Sequence, residues 1–339
     1  MNNFFKILFF VTVLFVQQNL CAQDLHFSQF YNSPLTTNPA NTGFIPDADF
    51  RVGINYRSQW ASVIPNPYTT VSAWADAQLF RDKMENGWIG IGGVLLSDKA
   101  GSGSLRSDKF YGSVAFHKML GNSSLLSAGF NLGYVNKRID PTNLKFPEQF
   151  NGKFFDAGIP ASVVFNNLAI DYFDLQVGMN YAYFPDEKVY INAGYSIHHV
   201  NKPKETFFND NTNVGKLPIR HIGFVNAILK VNPKVIINPN IYFTTQTNAI
   251  EINAGINANY DLSGDGEKQL IGGLYYRYND AIIPVIGVEI KRTAFTFNYD
   301  ATVSSLSKFN NYRGAFEFSI VKKGSYPSSV DRQSLCPRL

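Results

Sequence analysis

The sequence predicts an all-β protein, a transmembrane antiparallel β-barrel of the outer-membrane type with about fourteen strands and an N-terminal plug-like segment. Three observations predict it. Apolar and polar residues alternate with a period of two in many segments, as in strands with one face in lipid and one in water. The chain is 45% hydrophobic and 15% aromatic but only 17% charged, yet no apolar run approaches the roughly 18 residues of a spanning helix. Residues 1–22 carry Lys6, an apolar run over 7–16 and a polar stretch ending Leu20, Cys21, Ala22, the layout of a secretory signal peptide whose core is too short to span.

The expected organisation is a signal peptide at 1–22, a periplasmic or plug segment at 23–48, a barrel at 49–323 and a C-terminal periplasmic tail at 324–339. Cleavage after Ala22 discards Cys21 with the signal. The alternative is a lipidated Cys21, against which stands Leu20, larger than the small residue that lipoprotein cleavage favours. The mature chain then holds one cysteine, Cys336, so no internal disulfide staples the fold. The formal net charge of +4 is spread along the chain without a basic arm, which gives no reason to expect nucleic acid.

Residues 27–44 are rich in Pro, Asn and aromatics. Pro34 and Pro39 lack the N–H that a ladder requires, so this stretch reads as irregular and its rings need burial. It begins in the periplasm, leads into the first strand near Phe50 and is the natural plug; the plainer alternative is a cap on the barrel base.

The alternation is clearest over 294–303, where Phe295, Phe297, Tyr299, Ala301 and Val303 share one face and Ala294, Thr296, Asn298, Asp300 and Thr302 the other. It recurs with Ile250, Ile252, Ala254, Ile256, Ala258 and Tyr260, with Leu126, Ala128, Phe130, Leu132 and Tyr134, with Val189, Ile191, Ala193, Tyr195 and Ile197, and with Gly314, Phe316, Phe318 and Ile320. A soluble sandwich would alternate too. Here, however, the polar face carries Gly, Ser, Ala and Asn as often as long charged residues, as a crowded lumen would. Tyr275, Tyr276 and Tyr278 sit near a segment end, where an interfacial girdle belongs.

Strand starts are expected near Phe50, Tyr68, Trp88, Lys109, Leu125, Asp171, Lys188, Pro218, Lys234, Ala249, Lys268, Ala281, Ala294 and Tyr312, those at Tyr68, Pro218 and Ala281 alternating poorly. An even count puts both termini in the periplasm. The long connections 138–170 and 201–217 then follow odd strands and face outward, whereas tight turns such as Gly121-Asn122, Pro185-Asp186, Asn232-Pro233 and Lys291-Arg292 follow even ones.

The stretch His26, Phe27, Ser28, Gln29, Phe30, Tyr31, with Pro34, Asn38, Pro39, Ala40, Gly43, Asn55, Tyr56, Arg57, Gln59, Trp60, Pro67, Tyr68, Thr69, Thr70 and Asp76, resembles the PorP/SprF family, outer-membrane proteins of the type IX secretion and gliding machinery of Bacteroidota. The likeness extends to Cys336, Pro337 and Arg338, after which the family usually ends on an aromatic where this chain has Leu339. It is specific near the N-terminus and a shared architecture between about residues 80 and 277. The resemblance implies a non-enzymatic barrel in the lipid bilayer, with periplasmic type IX secretion components and the C-terminal domain of secreted surface adhesins as partners. Laid on the matched positions, His26, Phe27, Ser28, Gln29, Phe30, Tyr31, Pro34, Asn38, Pro39 and Ala40 would form the plug and docking segment. Arg57, Gln59, Trp60, Pro67 and Tyr68 would form the first extracellular corner.

The polar face of the strands carries Arg51, Arg57, Glu251, Arg277, Glu289, Asp300, Arg313 and Glu317. Charges of both signs inside one barrel would pair across it, which points to a braced or plugged lumen. The other reading is solvated charges in an open channel.

No cofactor or metal is expected. His26, His117, His198, His199 and His221 show no ligand spacing. Asp261, Ser263, Asp265 and Gly266 open like a calcium loop, but Gly272 stands where the closing Glu belongs, so a hairpin turn is favoured. Ser305 with Lys308, and Ser319 with Lys322, have a Ser-x-x-Lys spacing away from any helix start. The glycines at 90, 92, 93, 101 and 103 lack the strand-turn-helix setting of a phosphate cradle.

The leading functional expectation is therefore a barrel that supports secretion or surface anchoring of cargo adhesins. The alternative is an outer-membrane transport channel for small or hydrophobic molecules, which would need an open or apolar path. A barrel hydrolase would need a Ser/His pair at hydrogen-bond distance near a membrane face.

Overall fold

The computed structural model describes residues 25–327 apart from 82, 102, 157, 164 and 209–214. Residues 1–22, expected to be a signal peptide, and the motif residues Cys336, Pro337 and Arg338 lie outside the described residues. Among the described residues, fourteen antiparallel strands close into a barrel. They are β1 (Phe50–Gln59), β2 (Tyr68–Leu79), β3 (Gly87–Ala100), β4 (Leu105–Met119), β5 (Ser124–Arg138), β6 (Ala169–Tyr183), β7 (Val189–His198), β8 (Arg220–Asn232), β9 (Val235–Gln246), β10 (Ala249–Asp261), β11 (Lys268–Arg277), β12 (Ala281–Ile290), β13 (Thr293–Thr302) and β14 (Arg313–Gly324). Each pairs with its sequence neighbour, and β14 returns to β1 in a register running from Phe50↔Gly324 to Gln59↔Ala315.

β4 begins at Leu105, ahead of the Lys109 expected, because Arg106, Ser107 and Asp108 interrupt the apolar alternation yet still pair with Arg138, Lys137 and Asn136. The first and last strands begin and end on the same side of the sheet, the side that outer-membrane barrels turn to the periplasm. Connections 139–168 and 199–219 lie at the opposite, extracellular end, and Lys291-Arg292 is a two-residue turn on the periplasmic side.

The two faces separate as a barrel in lipid requires. On β13, Phe295, Phe297 and Tyr299 are exposed on the outside while Thr296, Asn298 and Asp300 are buried on the inside. β12 alternates poorly because its inner residues Ala281, Ile283 and Val285 are apolar as well, packed around Phe30. Its Pro284 has no N–H to give, and the β12–β13 pairing is interrupted between Ile282↔Ala301 and Val285↔Asn298. Tyr276 and Tyr278 face outward, but Tyr275 departs from the girdle expected of it. The period of two turns it inward, where it is 1% exposed. Among the described residues no helix is long and apolar enough to cross a membrane.

Phe297 lies mid-strand on the lipid face. Phe297→Arg is expected to cost about 2–4 kcal/mol and Phe297→Leu less than about 1.5 kcal/mol, read from denaturant unfolding in lipid vesicles.

Candidate functional site: the filled lumen

Residues 25–48 run inside the barrel without forming a strand. The segment folds into two 3-10 turns, Phe30–Asn32 and Pro39–Asn41, around a one-turn helix, Pro34–Thr37. Pro34 and Pro39 open their turns, where a missing N–H costs nothing. Asn38 stitches the second turn by accepting from the Ala40 N–H at 2.9 Å and donating to the Met179 carbonyl at 2.9 Å.

The course of the segment reverses the expectation that it starts at the periplasmic end. The Leu25 carbonyl accepts from Arg220 Nη1 at 3.0 Å, and His26 Nδ1 lies 3.4 Å from Glu251 Oε2. Both partners stand at the extracellular ends of their strands. At the other extreme, Asp47 pairs with Lys323 at 3.0 Å and the Asp49 carbonyl accepts from the Gln78 N–H at 2.8 Å, at the periplasmic end. The chain therefore descends the lumen before turning up into β1.

A cluster of charges grips its upper end. Ser28 N–H donates to Glu317 Oε1 at 2.6 Å and Gln29 N–H to Glu317 Oε2 at 2.9 Å, so one carboxylate holds two successive peptide groups. Ser28 Oγ donates to Asp300 Oδ2 at 2.7 Å and accepts from Arg57 Nη1 at 2.8 Å and Arg277 Nη1 at 2.9 Å. Arg57 also reaches Glu317 at 2.5 Å and Asp300 at 3.0 Å, while Arg277 reaches Asp300 at 2.6 Å and Asp280 at 2.6 Å. Two guanidiniums thus face two buried carboxylates. Such a set is costly to desolvate but far costlier to break one member at a time.

Apolar knobs seated in three clusters secure the rest. Phe30 stacks on Tyr242 with ring centroids 5.0 Å apart and packs with Ile222, Phe224, Ala281, Ile283 and Val285. Phe27 and Leu35 pack with Trp74, Val94, Leu96 and Tyr111. Phe44 packs with Trp88, Met119, Leu125 and Tyr190. Between the knobs, wall side chains take the segment's backbone groups. Trp74 Nε1 donates to the Asn32 carbonyl at 3.1 Å, Asn131 Nδ2 to Leu35 at 3.2 Å, Ser196 Oγ to Thr37 at 2.8 Å, and Trp88 Nε1 to Gly43 at 2.9 Å. Asp76 accepts from the Gly43 N–H at 2.7 Å and is held in turn by Arg51 at 2.9 Å.

Glycine lets the segment lie this close. A Cβ on Gly90 would stand 1.9 Å from the Thr42 carbonyl oxygen, and one on Gly129 would stand 2.6 Å from that of Pro39. These strand glycines are seats for a second backbone.

The predicted residues divide accordingly. His26, Phe27, Ser28, Gln29, Phe30, Tyr31, Pro34, Asn38, Pro39 and Ala40 all lie in the lumen. Arg51, Arg57, Glu251, Arg277, Asp300 and Glu317 face them from the wall. Arg57 is not at the extracellular corner where the motif put it: its inward parity on β1 buries it, 4% exposed. Gln59, Trp60, Pro67 and Tyr68 do flank the first extracellular loop, with the Trp60 and Tyr68 rings 5.3 Å apart. Arg313 reaches the same rim, donating to the Ser62 and Asn310 carbonyls at 2.9 and 3.0 Å. Glu289 lines the periplasmic end.

Sequence reasoning gave no role to Trp74, Trp88, Asn131, Ser196, Gly90 or Gly129. The usable signal was inward parity within a strand. His117 and Ser127 do make a Ser/His pair, at 2.7 Å, but both are sealed in the wall and His117 Nε2 contacts the Thr42 carbonyl at 2.8 Å. The pair fastens the segment and leaves no room for a substrate. Asp261 ties the β10–β11 turn by accepting from the Ser263, Gly264 and Gly266 N–H groups.

A family model described as type IX secretion system membrane protein PorP/SprF matches residues 19–321. No curated protein sequence matches the chain. Among similar solved structures, the Pseudomonas putida toluene transporter TodX is 12% identical with a TM-score of 0.52, over 87% of this chain and 95% of that one. The Ralstonia pickettii toluene transporter TbuX is 10% identical with a TM-score of 0.50, over 87% and 94%. A Pseudomonas aeruginosa FadL homologue is 8% identical with a TM-score of 0.50, over 86% and 93%. At these identities the likeness is one of fold.

Glu317→Ala strips two peptide N–H groups and Arg57 of their acceptor, so it is expected to weaken docking of the segment by about 3–5 kcal/mol. Limited proteolysis of the purified barrel reads this as early cleavage between residues 25 and 48. A pH effect should accompany it. Burial, opposed by Glu251 and helped by Arg277, Arg57 and Arg220, pushes His26 down from 6.5 to about 4. A released segment therefore takes up a proton that the docked one refuses. The His26 contribution to docking is full above pH 6.5, weakens as pH falls towards about 4 and levels off below it. His26→Asn should abolish this part of the pH dependence in the same proteolysis assay.

Proposed function

The chain belongs to the PorP/SprF family of type IX secretion system membrane proteins, and from that premise we propose that this outer-membrane barrel is a non-enzymatic docking component that supports the secretion or surface anchoring of cargo adhesins. The observation that carries the reading is the segment fastened through the lumen, from Leu25 beside Arg220 to Asp47 beside Lys323. A barrel so filled offers two faces in place of a conduit. Periplasmic components of the machinery would meet the short turns and the tail. The C-terminal domain of a surface adhesin would meet the long connections 139–168 and 199–219 and the Gln59, Trp60, Pro67 and Tyr68 corner. The transport alternative rests on the fold shared with toluene transporters, and the segment fastened through the lumen stands against it.

Deletion followed by comparison of surface proteins tests the reading. Loss of one adhesin marks a dedicated partner, loss of every type IX cargo marks a core component, and an unchanged surface overturns the proposal. Phe30→Ala combined with Tyr31→Ala removes one knob, at about 3–5 kcal/mol for the Phe alone, and should reduce cargo display while the barrel still assembles. In planar bilayers the intact chain should stay closed, and proteolytic removal of the segment from the already assembled barrel should open it.

A further inference from the structure

Beside the lumen segment lies a vestibule of about 320 Å³ at the periplasmic end, reaching the rim at Pro46, Asp47 and Lys323. One side is the segment itself, with Tyr31 and Phe44. The other is a wall of amides: Asn192, Asn226 and Asn240 are direct register partners across β7, β8 and β9, and Asn238 pairs in register with Asn257 across β9 and β10. A side-chain amide offers one acceptor and an N–H donor, the same pair that a peptide group presents. Asn192 Oδ1 and Asn257 Oδ1 are buried and have no hydrogen-bond partner among the described residues.

We propose that this vestibule is a polypeptide-binding socket and that its occupant is the chain's own segment 328–339. Three features single that segment out. The chain leaves the barrel at the vestibule rim: Lys323 lines it, the Tyr326 N–H donates to Asp49 Oδ2 at 2.7 Å, and the Tyr326 ring lies 5.8 Å from that of Phe50. Twelve further residues extend to about 40 Å, more than the roughly 30 Å of a bilayer core, so no part of the vestibule is out of reach. The charges also match. Arg51 is paired with Asp76 and Lys323 with Asp47, and Glu289, whose charge also acts on Lys323, makes no direct ion pair among the described residues. Against it the segment brings Arg332 and Arg338 with a single acid, Asp331. Its Ser and Gln side chains suit the amide wall, and Val330 and Leu335 suit the rings. The socket does not depend on the secretion reading.

Cys336 makes the proposal testable in the full-length chain, held in detergent or nanodiscs. With Asn226→Cys introduced, mild oxidation should join that position to Cys336 within one chain in most molecules, identified by peptide mass. Ser62→Cys, at the opposite rim, should not pair. Removing residues 328–339 should raise maleimide labelling of Asn226→Cys by about tenfold or more, as for a site whose open form is populated at a tenth or less. Pairing no greater than for Ser62→Cys, or labelling changed by less than about twofold, overturns the proposal and leaves water or a segment of a periplasmic partner as the occupant. Heat-modified migration on gels reports folding, and Asn238→Cys on the adjoining strand replaces Asn226→Cys if that variant does not fold.

Discussion

A peptide segment that is not a strand, placed inside a barrel in lipid, cannot supply its own hydrogen-bond partners, and most of the inner wall answers to that constraint. Residues 25–48 make only short turns, so their remaining N–H and C=O groups must be met by side chains. The wall meets them: Glu317 and Asp76 accept, Trp74, Trp88, Asn131, Ser196 and Arg220 donate. Even the buried charges follow from it. Arg57 and Arg277 balance the two carboxylates that Ser28 and Gln29 require.

The same constraint explains the unusual composition of the inner face. A water-filled barrel would repeat polar side chains around its lumen. Here the inner positions combine polar groups spent on the segment, such as Asp76, Asn131 and Ser196, with rings that receive its knobs, such as Tyr242, Trp74 and Trp88, and glycines where two backbones nearly touch. Amides unspent on the segment collect at the periplasmic end, where the wall and the segment part.

The barrel was legible because period two is a local property: ten residues of β13 suffice to show it, and most strand starts lie within two residues of their expected places. Strands with mixed inner faces were harder, since β12 is apolar inward only because Phe30 arrives from far away in sequence. The aromatic segment was legible as something that needs burial. Its direction was not, because direction is decided by contacts such as Ser28 to Glu317, separated by 289 positions. Arg57 misled for a related reason: a motif keeps residues together in sequence, whereas parity sends Arg57 inward while Trp60 stays at the rim.

Arg57 and Glu317 are register partners on β1 and β14, the two strands whose pairing closes the cylinder. The group that holds Ser28 and Gln29 thus straddles the seam, and the segment it holds enters from the far side of the lumen. A cylinder already sealed would have to admit that segment through its mouth and thread it downward against its own connection to β1. Seam and filling are more simply completed together, with the N-terminal segment acting as the mandrel on which the sheet is rolled. An empty, closed form of this barrel is then not a stage that its assembly passes through.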